Sequence, residues 1–507
     1  MRKTILGTIA ALAAGATSAL AQGPGVPPPA PIGPGGGSTL IPTEMPGMPG
    51  AGMGMPGPGM GSPGMGGPGM GMGMPGPGMG GPGMGMGAMP GPGMGGPPPG
   101  TNDPSAAFPG GGMPGYPQGT HGQQSWTPPN VDGVNSRLAP KAWLEFDYIL
   151  GFAKSQKANF PYVTTSAPLA GGILGNPSTY VLHSQGDLGL NLVNGARISG
   201  GFWRDEARRY GYYMSGFFTE FKTNEFASSS DSTGQPLLAR PFFNTATGQQ
   251  DVLLTSFPTY LAGGISVVSG TQFWGAEGGP IVNLYRSCPD DIALWNVNLL
   301  TGFRYLDLHE RFEASQNSVL LDGHTAAFDG KLYGAGSMIG VSDRFDTYNR
   351  FYAGQVGLNT ELRLNRWTLN TTTKVALGVV NQRIDVRGQS TLTGPNSPDL
   401  SVIHAGLFAN AANSGRTNQD KFAVAPEVNV NLGYQWRSWL TTSIGYNFIY
   451  ISNVVRPTEQ FSNAVNPAIV PLSSTYGVVN NAPTPNLVGT TSDFWFQGVT
   501  FSITARY

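Results

Sequence analysis

The chain has little of what soluble and catalytic proteins are built from. Its one cysteine, Cys288, excludes an internal disulfide, although a secreted chain would be free to form one. Charged residues make up 11% of the sequence, and 28 Lys plus Arg nearly balance 29 Asp plus Glu, so no basic surface is available for nucleic acid. There are five histidines in 507 residues, and the C-terminal part holds neither a Gly-x-Ser-x-Gly elbow nor a Cys/His cluster. No cofactor, no metal and no catalytic residue is therefore expected. His309-Glu310-Arg311-Phe312-Glu313 opens like a zinc-protease helix, but Glu313 stands at the second histidine position and the segment alternates like a strand. No apolar run reaches the ~20 residues that a spanning helix needs.

What is present divides the chain into three. Arg2 and Lys3, the apolar stretch from Ile5 to Ala16 and the small residues Ala19 and Ala21 read as a signal peptide over residues 1–21, cleaved to leave Gln22 first. No cysteine follows the cleavage point, so no lipid anchor is expected. Residues 22–138 hold about half of the 77 Gly and most of the 44 Pro and 18 Met in repeats such as Met74-Pro75-Gly76-Pro77-Gly78-Met79. Such a composition cannot bury enough apolar surface to offset the entropy of ordering, and predicts a disordered linker. Glycine does not recur at every third position, which excludes collagen. Met-Gly-Met steps could offer thioethers to Cu(I), a weaker reading than a plain tether.

From residue 139 to 507 the texture is that of strands. The last nine residues alternate without a break: Val499, Phe501, Ile503, Ala505 and Tyr507 share one face, and Thr500, Ser502, Thr504 and Arg506 the other. A period-two strand with an apolar face and a terminal aromatic is what the closing strand of an outer-membrane β-barrel needs, and is where barrel-assembly machinery would engage it. Amphipathic runs place strands near 141–152, 189–203, 209–222, 262–286, 292–312, 346–364, 366–386, 421–436, 439–456 and 493–507. Gly278-Gly279-Pro280 interrupts the fourth run. The odd-numbered runs are followed by polar gaps of roughly 30–40 residues and the even-numbered ones by tight turns. These turns fall at Asp205-Glu206, Pro289-Asp290, Asn365-Arg366 and Arg437-Ser438. Strict alternation of long and short connections predicts an all-β, antiparallel up-and-down transmembrane barrel of about ten strands, with eight or twelve left open. A soluble β-sandwich has no reason to segregate its loops in this way. The linker and C-terminus then belong on the periplasmic side, where the linker could meet a periplasmic partner, and the long loops form a raised extracellular rim over outer-membrane lipid.

The alternation also assigns faces. Leu144, Phe146 and Tyr148 should meet lipid, with Glu145 and Asp147 inside. Arg304, Glu310, Glu361, Lys374 and Glu427 map to the lumen, either as a structural ion network or as a charged constriction that selects solutes.

Four stretches resemble a known family: Leu300-Thr301-Gly302-Phe303-Arg304-Tyr305-Leu306-Asp307-Leu308-His309-Glu310, Asn349-Arg350-Phe351-Tyr352-Ala353-Gly354-Gln355, Gly445-Tyr446-Asn447-Phe448-Ile449-Tyr450 and Val455-Arg456-Pro457. From about Ala142 to Tyr507 the chain is similar to the planctomycete outer-membrane β-barrel family long filed as a domain of unknown function. The family's Arg-Pro-Gly reads Arg456-Pro457-Thr458 here. The resemblance implies a cell-envelope barrel and brings no activity with it.

Three functions are compatible with these residues. The first is a non-enzymatic protein of envelope architecture, and the second a narrow porin-like channel for small solutes. The third is an outer-membrane protease or lipase, for which His183 with Asp187, or His324 with Asp322, are the loop pairs on offer.

Overall fold

A computed structural model describes residues 140–507 apart from 157–159, 185–187, 189–191, 289–290, 396, 483–486 and 488. The expected signal peptide with its Ala19 and Ala21, the low-complexity linker and the turn at Pro289-Asp290 lie outside the described residues. Ten strands pair in chain order: β1 (Ala142–Ala153), β2 (Val193–Trp203), β3 (Tyr210–Thr219), β4 (Leu261–Arg286), β5 (Ala293–Leu320), β6 (Met338–Leu364), β7 (Trp367–Gly394), β8 (Gly415–Arg437), β9 (Leu440–Val455) and β10 (Thr491–Arg506). Each pairs antiparallel with the next, and β10 returns to β1 in a register running from Trp143↔Arg506 to Ala153↔Phe496. The sheet is a closed up-and-down barrel, which leaves no edge for another chain to pair with in the ring.

The fourth run is one strand despite its Gly-Gly-Pro. Ladder pairing between β4 and β5 skips from Leu300↔Ile281 to Phe303↔Gly278. Pro280 has no N–H to give there. Gly302 sits at φ +150°, and a Cβ on it would lie 2.1 Å from the Gly278 carbonyl oxygen, so the two backbones meet where only glycine fits.

The strands differ greatly in length. β4 to β8 run for 26, 28, 27, 28 and 23 residues, whereas β1, β2 and β3 have 12, 11 and 10. One side of the barrel thus continues as a tall curved wall beyond the end of the other. Lys222–Ser229 extends this wall by taking up the pairing with β4 at Thr271, just where β3 leaves it at Trp274.

The outer surface records where the solvent changes. On β5 the outward residues are Trp295, Val297, Leu299, Phe303 and Tyr305, and then Asp307, His309, Arg311, Glu313 and Ser315. On β7 the outward Trp367, Leu369, Val375, Leu377 and Val379 give way to Asn381, Arg383, Asp385 and Arg387. The inner face inverts at the same height, from Asn296, Asn298 and Arg304 to Leu306, Leu308, Phe312 and Ala314. Ten residue steps from Trp295 to Tyr305, at ~3.4 Å each and a tilt of ~40°, rise about 26 Å, the height of an outer-membrane apolar band. Trp274, Tyr305 and Tyr352 close this band, with ring centroids 5.1 Å apart in each step, as an interfacial girdle does.

The loops correct one expectation. Instead of decorating a rim, they fold inward and build a second core against the tall wall. Val163–Ser166, Thr179–His183, Leu238–Asn244, Gln249–Ser256 and Ala464–Val465 form a five-stranded sheet. It shares one hydrophobic cluster with the inner faces of β4 to β7. Phe461 is central to it, stacking on Phe345 at 4.3 Å and touching Phe160, Phe312 and Phe408 within 5.7 Å. The gaps after the fifth and seventh strands are also shorter than expected, because strand pairing continues through Leu320, Met338 and Gly394.

Candidate functional site: the lumen and its closures

Following the lumen upward from the turn end, a cavity of about 220 Å³ comes first. Its wall is a belt of amides: Asn283 donates to Asn296 (2.6 Å) and Asn298 (2.9 Å), Asn298 to Asn359 (3.2 Å), and Asn359 to Asn370 and Thr372 (both 2.9 Å). Each of these side chains stands at an inward position of its strand, so the belt is a product of register. At the mouth, Glu361 accepts from Arg363 at 2.6 Å and from both terminal nitrogens of Arg506 at 3.3 Å. Arg208 and Arg286 complete the rim.

Above the cavity lies an ion cluster. Arg304 bonds Glu427, Lys374 bonds Glu277, and Arg197 reaches Asp147 at 2.5 Å and Glu427 at 3.6 Å. Lys374 is 3.7 Å from Glu427 and Arg304 is 3.9 Å from Glu277, so three cations and three carboxylates form one neutral knot. Arg304 is 2% and Glu427 3% exposed, so the knot is held almost entirely out of solvent. Charges held this far from solvent persist only because each has partners, since an unpaired one would cost several kcal/mol.

An apolar layer follows. Phe273 packs edge-on against Phe494 at 5.2 Å and lies 6.0 Å from Phe496, and Leu306, Leu308, Phe351, Val380 and Ile451 fill the same level. None of these side chains is more than 2% exposed.

The top closure is a latch. Glu310 and Arg456 are both 0% exposed, and their side chains pair twice, at 2.6 and 2.8 Å. Arg456 also donates to the carbonyls of Lys154 and Ser155, fixing where the chain leaves β1, while Asn349 exchanges two hydrogen bonds with Val455. Three of the stretches that carry the family resemblance therefore meet at one level. Thr458, where the family has glycine, is buried in the 3-10 turn Pro457–Glu459. A second buried pair, Arg240 with Asp343 at 2.6 Å, pins the inner sheet to β6, and Asp343 also accepts from the N–H groups of Phe408 and Ala409.

The five charged residues read from the sequence thus occupy three sites: Arg304, Lys374 and Glu427 in the central knot, Glu361 at the mouth and Glu310 in the latch. Alternation assigned their face but not their height. Asp343 was missed because it lies in a stretch that reads as loop, and Arg456 was read at the end of the ninth run without a partner. His183 stacks on Phe226 at 4.8 Å and His324 lies 4.5 Å from Tyr260; Asp187 falls outside the described residues. Cys288 is exposed near the turn end.

A family model described as "Putative beta barrel porin-7 (BBP7)" matches residues 143–507. The chain belongs to this family. Its BBP7 domain thus covers the whole ring from Trp143 to Tyr507, and the apolar band with its girdle stands in the outer membrane. No curated protein matches the chain. Among solved structures, the outer membrane protease OmpT from Escherichia coli is 11% identical, with 72% of this chain and 97% of that one covered at a TM-score of 0.29. The P. putida toluene transporter TodX is 8% identical (72% and 90% covered, TM-score 0.17), and a Pseudomonas aeruginosa FadL homologue is 10% identical (73% and 90%, TM-score 0.19). At such identities and overlaps no functional reading passes from these proteins to this one.

Proposed function

We propose that this BBP7 protein is a non-enzymatic, non-conducting outer-membrane barrel that presents a folded cap at the cell surface and serves envelope architecture. The observation that carries the proposal is the succession of three closures, the ion knot, the apolar layer and the Glu310–Arg456 latch, whose side chains are all at least nine-tenths buried. In this reading the turn end and both ends of the mature chain face the periplasm, where the Gly/Pro/Met-rich linker tethers the barrel to a periplasmic partner. The lipid-facing row Val499, Phe501 and Ile503, continued by Ala505 and Tyr507, is the strand that barrel-assembly machinery engages. Ten strands enclose an interior that side chains can fill, well below the 16 or more of general porins. Planar-bilayer recording of the refolded full chain tests the proposal: a silent membrane is expected, and stepwise openings that change when Glu427 is neutralised would overturn it in favour of a narrow solute channel.

A further inference from the structure

Among the described residues, the ion knot lies above a chamber whose rim is at the turn end. We propose that this chamber is a binding site for the oxyanion of a small hydroxylated molecule, a phosphorylated or carboxylated sugar. The inference goes beyond the architectural reading and holds whether or not the barrel conducts.

The rim supplies the charge. Arg208, Arg286, Arg363 and Arg506 surround one carboxylate, Glu361, while the deeper charges cancel in the ion knot. Glu145 accepts from Thr504 at 2.7 Å, and Asp205, on the turn outside, is taken up by the N–H groups of Arg209 and Tyr210. Guanidiniums converging from the turn, β4, β6 and β10 suit a phosphate or carboxylate, which a guanidinium can hold through two parallel hydrogen bonds.

Arg208 adds an independent observation. Its φ is +52°, a left-handed conformation that is strained for a side-chain-bearing residue and that glycine or asparagine would adopt more cheaply. The side chain is nonetheless 6% exposed and lines the chamber, so the turn tolerates strain in order to aim a guanidinium inward. Burial, with the charges of Arg286, Arg506 and Arg363, pushes its pKa down to about 10, which leaves it a cation at neutral pH.

The interior supplies the rest of the specificity. Behind the arginines stand Asn296, Asn298, Asn359, Asn370 and Thr372, neutral groups that both donate and accept, as sugar hydroxyls require. The chamber's volume of about 220 Å³ suits a small molecule.

Titration calorimetry on the full chain in detergent micelles tests this with four probes: glucose 6-phosphate, glucuronate, inorganic phosphate and glucose. Saturable binding of glucose 6-phosphate or glucuronate, tighter than that of inorganic phosphate and absent for glucose, is expected. Which of the two binds better assigns phosphate or carboxylate. R286Q removes a guanidinium that donates to the carbonyls of Ala207 and Arg208, and should weaken binding about 10- to 100-fold. R208G should weaken it comparably while leaving the thermal unfolding temperature unchanged or higher, because glycine relieves the backbone. No binding of either sugar acid would overturn the proposal, as would inorganic phosphate binding as tightly as they do, or R286Q and R208G binding like the parent.

Discussion

The two halves of this barrel use one backbone pattern with opposite polarity. In the membrane band the outward rows are Trp367, Leu369, Val375 and Leu377 and the inward rows Asn370, Thr372 and Lys374; above it, on the same β7, the outward residues are Arg383, Asp385 and Arg387 and the inward ones Ile384, Val386 and Leu392. The period of two is unchanged and only its sign reverses. Period reports strand geometry, whereas sign reports which side is water. Below Tyr305 the outside is lipid and the inside polar. Above it the outside is water, and the inside is a protein core to which the loops contribute one face. The upper half is thus built like a sandwich, and the lower half like a membrane barrel.

The strongest way to break this contrast is to attack the charges buried in the loop-end core. Arg456→Met leaves Glu310 charged in an apolar layer, and removal of one partner of such a pair costs about 3–5 kcal/mol. The expected outcome is release of the segment after Ser155 and of the last loop to protease, with the membrane band still migrating as a folded barrel in unheated gels. Loss of the barrel itself would show that the halves do not fold separately. Asp343→Asn should act similarly through Arg240, Phe408 and Ala409.

A smaller effect tests the sign reversal directly. Val375→Arg places a charge on the lipid face and should cost about 2–4 kcal/mol in folding into bilayers. Gln389→Arg, on the same outward row but in the upper half, should cost nothing measurable. Equal penalties at the two positions would move the membrane boundary.

The ten strands and their inward and outward faces were legible because lipid imposes apolar residues on one side and the turns punctuate. The sequence could not show that 313–320, 338–345 and 387–394 are strands as well. There Ser315, Asn317, Ser342 and Gln389 face water, and small polar residues in alternation read as loop. The ion knot was half legible: Arg304, Lys374 and Glu427 were on the right face, but their meeting depends on the stagger of β5, β7 and β8, which no single strand encodes. Arg456 carried a signal in the resemblance, as part of Val455-Arg456-Pro457, without its partner being visible. Glu310, its partner, lies 146 residues earlier.

The smallest effects belong to carboxylates whose partners touch water, and they sharpen the contrast by their weakness. Asp385, on the outer wall, is held by Arg383 and by Arg416 at 2.8 Å, yet Arg416 is largely solvated; Asp385→Asn should cost at most about 1 kcal/mol, against several for Asp343→Asn. Asp205 gives a pH version of the same point. Burial alone would raise its pKa, but hydrogen bonds from the N–H groups of Tyr210 and Arg209 outweigh it and hold the carboxyl below the usual aspartate value. A carboxyl depressed in the folded state contributes stability above its unfolded pKa and loses that contribution as pH falls through the folded one. The turn should therefore be indifferent to pH near neutrality and loosen only in acid. A carboxyl-carbon NMR titration of Asp205 with a midpoint below that of a model peptide is expected, and Asp205→Ala should remove whatever acid dependence the turn shows. A midpoint at or above the peptide value would mean that the two N–H groups do not hold the carboxylate, and that the tight turn between β2 and β3 rests on its neighbours instead.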